Sequence, residues 1–137
     1  MPTTKTLTKH FELLEQIEKE KDPETRKKLC RKDIDLYAAC CRDWIREAED
    51  MVKREKETDK ICGKKFPAEH YKEMLIKLSK IPHYPSLKTL AILYEKEGNY
   101  AEAIKVCKAA IKAGADDDGT KGGMTERLRK LEAKQNA

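Results

Sequence analysis

The stretch "YEKEGNYAEAIKVCKAAIKAG", residues 94–114, decides the fold. Its first residues close one helix. Gly98 stops that helix, because glycine takes the left-handed conformation at little cost. Asn99 is a helix-capping residue, and Glu102 lies three positions on, where its carboxylate can reach back to complete a capping box. The chain therefore stops a helix and restarts one at once, which makes a two-residue helical hairpin. In the second helix Ala103, Cys107 and Ala110 fall on one stripe. Small side chains there let two helices approach near the short end of the usual spacing of about 8–10 Å. The helix before it starts at Pro85, a residue suited to the first helical position. It presents Leu87, Leu90, Ala91 and Tyr94 on one face and Ile92 and Leu93 on others, so it needs neighbours on more than one side.

Outward from this pair the same periodicity continues. Leu7, Phe11, Leu14 and Ile17 predict a first amphipathic helix over 5–21. Asp22 and Pro23 then open a second. Nothing interrupts that helix until Gly63, and its apolar marks run from Leu29 and Cys30 through Ile34, Tyr37, Cys41, Trp44, Ile45 and Ala48 to Met51 and Val52. Beyond Val52 the stretch "KREKETDK" is polar all round, which predicts fraying or a break near Thr58–Asp59. Phe66-Pro67 opens a third helix with Tyr71, Met74, Leu75 and Leu78 on its buried face. The prolines of "IPHYP" end it. After Gly114 the acidic, glycine-rich "ADDDGTKGG" forms a loop. Met124, Leu128 and Leu131 mark a short last helix whose opposite face is charged, as a terminal capping helix requires.

The totals agree with this reading. The chain has 137 residues, 40% of them charged and 6% aromatic. That is one α-helical domain's worth of sequence with too few aromatic residues for a sheet protein. The expected division is a long helical hairpin over 1–63, then the residues 64–137. The first 62 residues carry 15 Lys/Arg against 15 Asp/Glu, whereas 63–137 carry 15 against 10, so the net +5 lies wholly in the second part. Such a mild excess admits an acidic partner without demanding one. Cysteines at 30, 40, 41, 62 and 107 show no metal-binding spacing and read as reduced thiols of a cytoplasmic protein. The longest apolar run, Tyr37–Cys41, is far too short to span a membrane, and no membrane partner is expected.

The hairpin resembles a tetratricopeptide repeat. The match covers 84–115. The large apolar residue is Leu87, the Leu-small step is Leu90-Ala91, and the helix tyrosine is Tyr94. The turn is Gly98-Asn99-Tyr100, and the second helix's small residues are Ala103 and Ala110. Cys107 stands where the family carries an aromatic, and Ala115 where it usually closes with proline. Counting back one repeat length yields no second copy, so the flanking helices serve as degenerate neighbours. The stretch from Tyr71 to Lys130 also resembles small bacterial and phage-borne repeat proteins that carry "DDGTKGGM" after the repeat. The resemblance implies an all-α, helical-repeat array of about six antiparallel helices. It also implies a non-catalytic role in binding a protein or peptide along the face that offers Lys88, Thr89, Ile92, Glu95 and Lys96. The carboxylate-gripping subset of that family wants Lys and Asn four residues apart; Lys88 fits and Ile92 does not.

Other candidate sites are weaker. Residues 63–88 hold six lysines, including Lys72, Lys77, Lys80 and Lys88, against two glutamates. This surface is the alternative site, for nucleic acid or a ribonucleoprotein of a mobile element. Asp116–Asp118 lack the alternating acids and the closing glutamate of a calcium loop. The "GTKGGM" segment opens a helix whose amides, with Lys121, could hold an anion. His10, His70 and His83 show no catalytic spacing, and Cys62 with His70 lacks further zinc ligands. No cofactor, metal or catalytic residue is expected. A homodimer through Trp44 and Ile45 of the second helix is a further possibility.

Overall fold

A computed structural model describes residues 4–80 and 83–137. Pro82 of the helix-ending pair and Pro2 lie outside the described residues. Among them the secondary structure is entirely helical: α1 (Lys5–Lys19), α2 (Pro23–Asp35), α3 (Tyr37–Ile61), α4 (Ala68–Ser79), α5 (Pro85–Lys96), α6 (Tyr100–Lys112) and α7 (Gly123–Gln135). Among the described residues no helix is long and apolar enough to cross a membrane.

The chain divides into two compact units. One takes residues 4–9 and 36–80, and the other takes 10–35 and 83–137. The first unit is built on the antiparallel pair α3–α4. Trp44 Nε1 donates to the Leu78 carbonyl at 3.1 Å, and the Tyr71 hydroxyl donates to Asp59 Oδ2 at 2.8 Å. The second contact explains why α3 runs unbroken to Ile61 instead of fraying after Val52. Asp59 is buried and partnered, so the polar extension has a packed side. None of α4's residues is fully buried.

The second unit stacks α2 on α5, α5 on α6, and α6 on α7. The α5–α6 turn forms as its residues dictate. Gly98 has φ +75°, Gly98 N–H bonds Glu95 O, and Asn99 N–H bonds Tyr94 O at 2.9 Å, the Schellman pattern. Asn99 Oδ1 accepts from the Glu102 amide at 3.3 Å, but the Glu102 carboxylate bonds Lys105 instead of reaching back. Half of the expected capping box is thus made. Leu87, Leu90, Ala91, Leu93 and Tyr94 are buried on α5, and Ala103, Ile104, Cys107 and Ala110 on α6. Tyr100 is half-buried.

Three expectations are corrected. Among the described residues there are seven helices, not six, because the second predicted helix breaks at Leu36 (φ −84°, ψ −8°) between α2 and α3. The Tyr84 hydroxyl donates to the Asp33 main-chain carbonyl at 2.5 Å, and in an unbroken helix that carbonyl serves the amide four residues on. The buried face of α1 is Leu7, His10, Leu13 and Ile17, while Phe11 is 45% exposed. Asp33 supplies the partner that lets a histidine sit on that face. The supposed anion site before the last helix is already filled. Asp116 O accepts from Met124 N–H at 2.7 Å, and Asp116 Oδ1 accepts from Thr125 N–H at 2.8 Å, so the chain's own aspartate caps α7.

Candidate functional site

Two polar clusters in the α2–α5–α6–α7 unit are each built on a buried aspartate. The first centres on Asp33. His10 Nδ1 lies 2.6 Å from Asp33 Oδ1, so a carboxylate oxygen accepts and the imidazole donates. Ser86 Oγ donates to Asp33 Oδ2, and the Tyr84 hydroxyl lies 3.2 Å from Oδ1. The His10 and Tyr84 rings stack, with centroids 4.4 Å apart. The residue types suggest a Ser-His-Asp triad, but the order is wrong for one. Acyl-transfer chemistry needs serine bonded to the imidazole, whereas here it bonds the carboxylate. All four side chains are buried, so the cluster is a satisfied polar core.

The second cluster ties the α6–α7 connection. Asp118 Oδ1 accepts from the Thr120 amide at 3.0 Å, and its Oδ2 accepts from Arg127 Nε at 3.1 Å. Burial alone would raise the Asp118 carboxyl, but the Thr120 bonds and Arg127 outweigh it and hold it below the ordinary value. Asp117 Oδ1 accepts from the Gly119 amide at 3.0 Å. Asp117 and Asp118 thus serve loop amides, while Asp116 caps α7. Among the described residues no group of acidic, thiol or imidazole side chains is placed to hold a metal ion.

None of the five cysteines is in a disulfide; Cys30, Cys40 and Cys107 are buried, Cys41 is half-buried and Cys62 is exposed. Burial pushes the Cys30 and Cys107 thiols up to about 11, which makes them poor nucleophiles at neutral pH. His70 lies against Phe66, ring centroids 4.3 Å apart, and edge-on to Tyr71, so its ring is engaged in aromatic packing.

An open site lies between α5 and α7. A cleft of about 230 Å³ is lined by Glu95 of α5, by Thr120 and Lys121 of the connection, and by Gly123, Glu126, Arg127, Lys130, Leu131 and Lys134 of α7. At about 30 Å³ per water it holds roughly eight waters, below the usual range for a drug-sized ligand and enough for one or two side chains. Its lining has four cations against two anions. Two of the cations are committed: Arg127 to Asp118, and Lys134 to Glu95. Glu126 is held by Arg129 at 2.6 Å, which lowers its carboxyl. Lys121 and Lys130 complete the lining, with exposed side chains. A shallower hollow at the α1–α2 corner, lined by Gln16, Lys19, Glu20, Thr25 and Leu29, has no such convergence of charge.

Of the residues expected to meet a partner, Glu95 lines this cleft. Lys88 and Ile92 are half-buried on α5, and Lys96 is exposed near its end; none of the three is part of the cleft lining. Lys72, Lys77 and Lys80 are exposed in the α3–α4 unit. The lysine run of 63–88 is therefore divided, with Lys88 in the other unit. Sequence reading missed Lys130 and Lys134 as cleft residues and took Lys121 only as part of an anion site at the start of the last helix. The signal was the charged face of the last helix, which also reads as a solvated cap.

These elements define an all-helical protein whose second unit stacks helical hairpins around an α5–α7 cleft. No protein-family model matches the chain, and neither a curated protein nor a solved structure matches it significantly.

Proposed function

We propose that this protein is a non-catalytic interaction module that binds an acidic segment of another protein in the α5–α7 cleft. The observation that carries the reading is the cleft's lining, where cations outnumber anions four to two in a space suited to side chains. The parallel with tetratricopeptide hairpins supports it at the level of fold: there, too, the first helices of successive hairpins line the binding face. Residues 36–82 intervene in sequence between α2 and α5, which pack together. On this reading α1–α2 is the degenerate neighbour of the α5–α6 hairpin, which accounts for the lack of a second copy one repeat length upstream.

The test is a selection of random peptides on the full chain at about 0.5 M salt, where phosphate-type electrostatic binding is heavily weakened. Enrichment of peptides with Asp or Glu anchors, lost in a Lys121→Glu, Lys130→Glu double variant, supports the cleft. Recovery of nothing but nucleic acid at low salt, with affinity falling log-linearly as salt rises, supports the alternative reading through the lysines of 63–88 and removes this one.

A further inference from the structure

We infer that the turn joining α3 to α4 is a membrane-surface contact that seats on anionic lipid headgroups and dips its apolar tip into the acyl boundary. The two helices run antiparallel, and the turn between them projects an unusual pair of side chains. Ile61 is 85% exposed, more than any other large apolar side chain among the described residues, and Phe66 is 43% exposed. Lys60, Lys64 and Lys65 are their neighbours in sequence and are all exposed. From Lys60 through Ala68 the sequence has no acidic residue. Asp59, just before the turn, is buried and bonded by Tyr71, so it offers the tip no exposed counter-charge. The nearest exposed carboxylates, Glu57 and Glu69, stand back from the tip on α3 and α4.

Exposed apolar side chains interleaved with exposed lysines, and with no acidic residue among them, match an anionic bilayer surface. Lysines near such a surface gain from its negative potential while apolar side chains leave water for the acyl boundary. A single-stranded nucleic acid draws instead on free aromatic faces and arginines. Here one face of Phe66 is already stacked on His70, and no arginine occurs between Arg54 and Arg127. A protein partner would have to match each lysine with its own carboxylate, whereas a fluid anionic surface matches all three at once. The expectation of no membrane partner rested on the lack of a spanning segment, and a surface-seated turn needs none.

The test is co-sedimentation of the full chain with vesicles of phosphatidylcholine alone or with roughly one-third phosphatidylserine. The expected result is binding to the anionic vesicles only, weakened about 25-fold by Lys64→Gln with Lys65→Gln, at about fivefold per lysine. Ile61→Ser with Phe66→Ser should weaken it about tenfold or more. These side chains are exposed, so the variants keep the native far-ultraviolet spectrum. An Ile61→Trp variant should be quenched by brominated acyl chains. The inference is overturned by failure to bind anionic vesicles, by equal binding to neutral ones, by indifference to the Ile61 and Phe66 changes, or by an unquenched tryptophan at 61. Binding of a single-stranded oligonucleotide that the lysine changes abolish, with vesicles untouched, also overturns it and reassigns the turn.

Discussion

Asp33 gathers three side chains, each of which would be costly to bury alone. It accepts from His10, 23 residues away, and from Ser86, 53 residues away. Removing its carboxylate leaves an imidazole and the Ser86 hydroxyl without their acceptor, while the Tyr84 hydroxyl keeps the Asp33 main-chain carbonyl. Asp33→Ala should therefore cost about 3–5 kcal/mol in urea unfolding, with Asp33→Asn in between, since breaking a buried pair from one side strands the other. A change below about 0.5 kcal/mol would contradict that role. Its burial was not legible: the sequence marks Leu29, Cys30 and Ile34 as the apolar stripe, whereas Lys27, Cys30 and Asp33 are the buried residues of α2. Its partners were not legible either, because nothing local couples residues so distant in sequence. Gly123 makes a second case at this scale. A Cβ there would stand 2.4 Å from the Asp116 carbonyl oxygen, whereas at Gly98 it would meet nothing within 4 Å. Both have positive φ, so Gly98→Ala should cost about 1–2 kcal/mol from the backbone alone. Gly123→Ala should cost clearly more by the same measurement, and equal losses would contradict the close approach.

At the scale of elements, the α5–α6 hairpin was legible because its instructions are local: Pro85, Gly98 and Asn99 act within one turn of themselves. The α2–α3 break was not, because no glycine or proline marks Leu36 and the bond to the Asp33 carbonyl comes from Tyr84. The α5–α7 cleft was half-legible. Glu95 was read as facing a partner, while the last helix was read only as a lid on the stack. Burial also separates the elements. With none of its residues fully buried, α4 should exchange its amides through openings of lower free energy than α5 and α6. Equal protection of all three helices would contradict this. The α6–α7 connection responds to acid. Asp118 is held below its ordinary value, so its contribution is complete above the unfolded aspartate range and is lost as pH falls through the depressed value. Loosening of α7, followed by fluorescence of a probe on Arg129→Cys, should set in below about pH 4. Asp118→Asn should remove that step; if the variant keeps it, another group is responsible.

For the whole molecule, the charge distribution and the cleft point the same way. The excess of cations lies beyond residue 62, and Lys121, Lys130 and Lys134 converge beside Glu95. The buried clusters have the residue types of chemistry in arrangements that serve packing. Asp33 takes the centre a catalytic histidine would need, and the buried thiols are pushed up by desolvation. On the proposed reading, the partner meets the charge arranged around the small α5–α7 cleft. Titration of the isotopically labelled chain with an acidic, extended peptide, read by amide chemical shifts, tests this most directly. The expected result is saturable shifts at Glu95 and across 120–134, abolished by Lys121→Glu with Lys130→Glu. Saturable shifts confined to other helices, or binding indifferent to those two lysines, would contradict it.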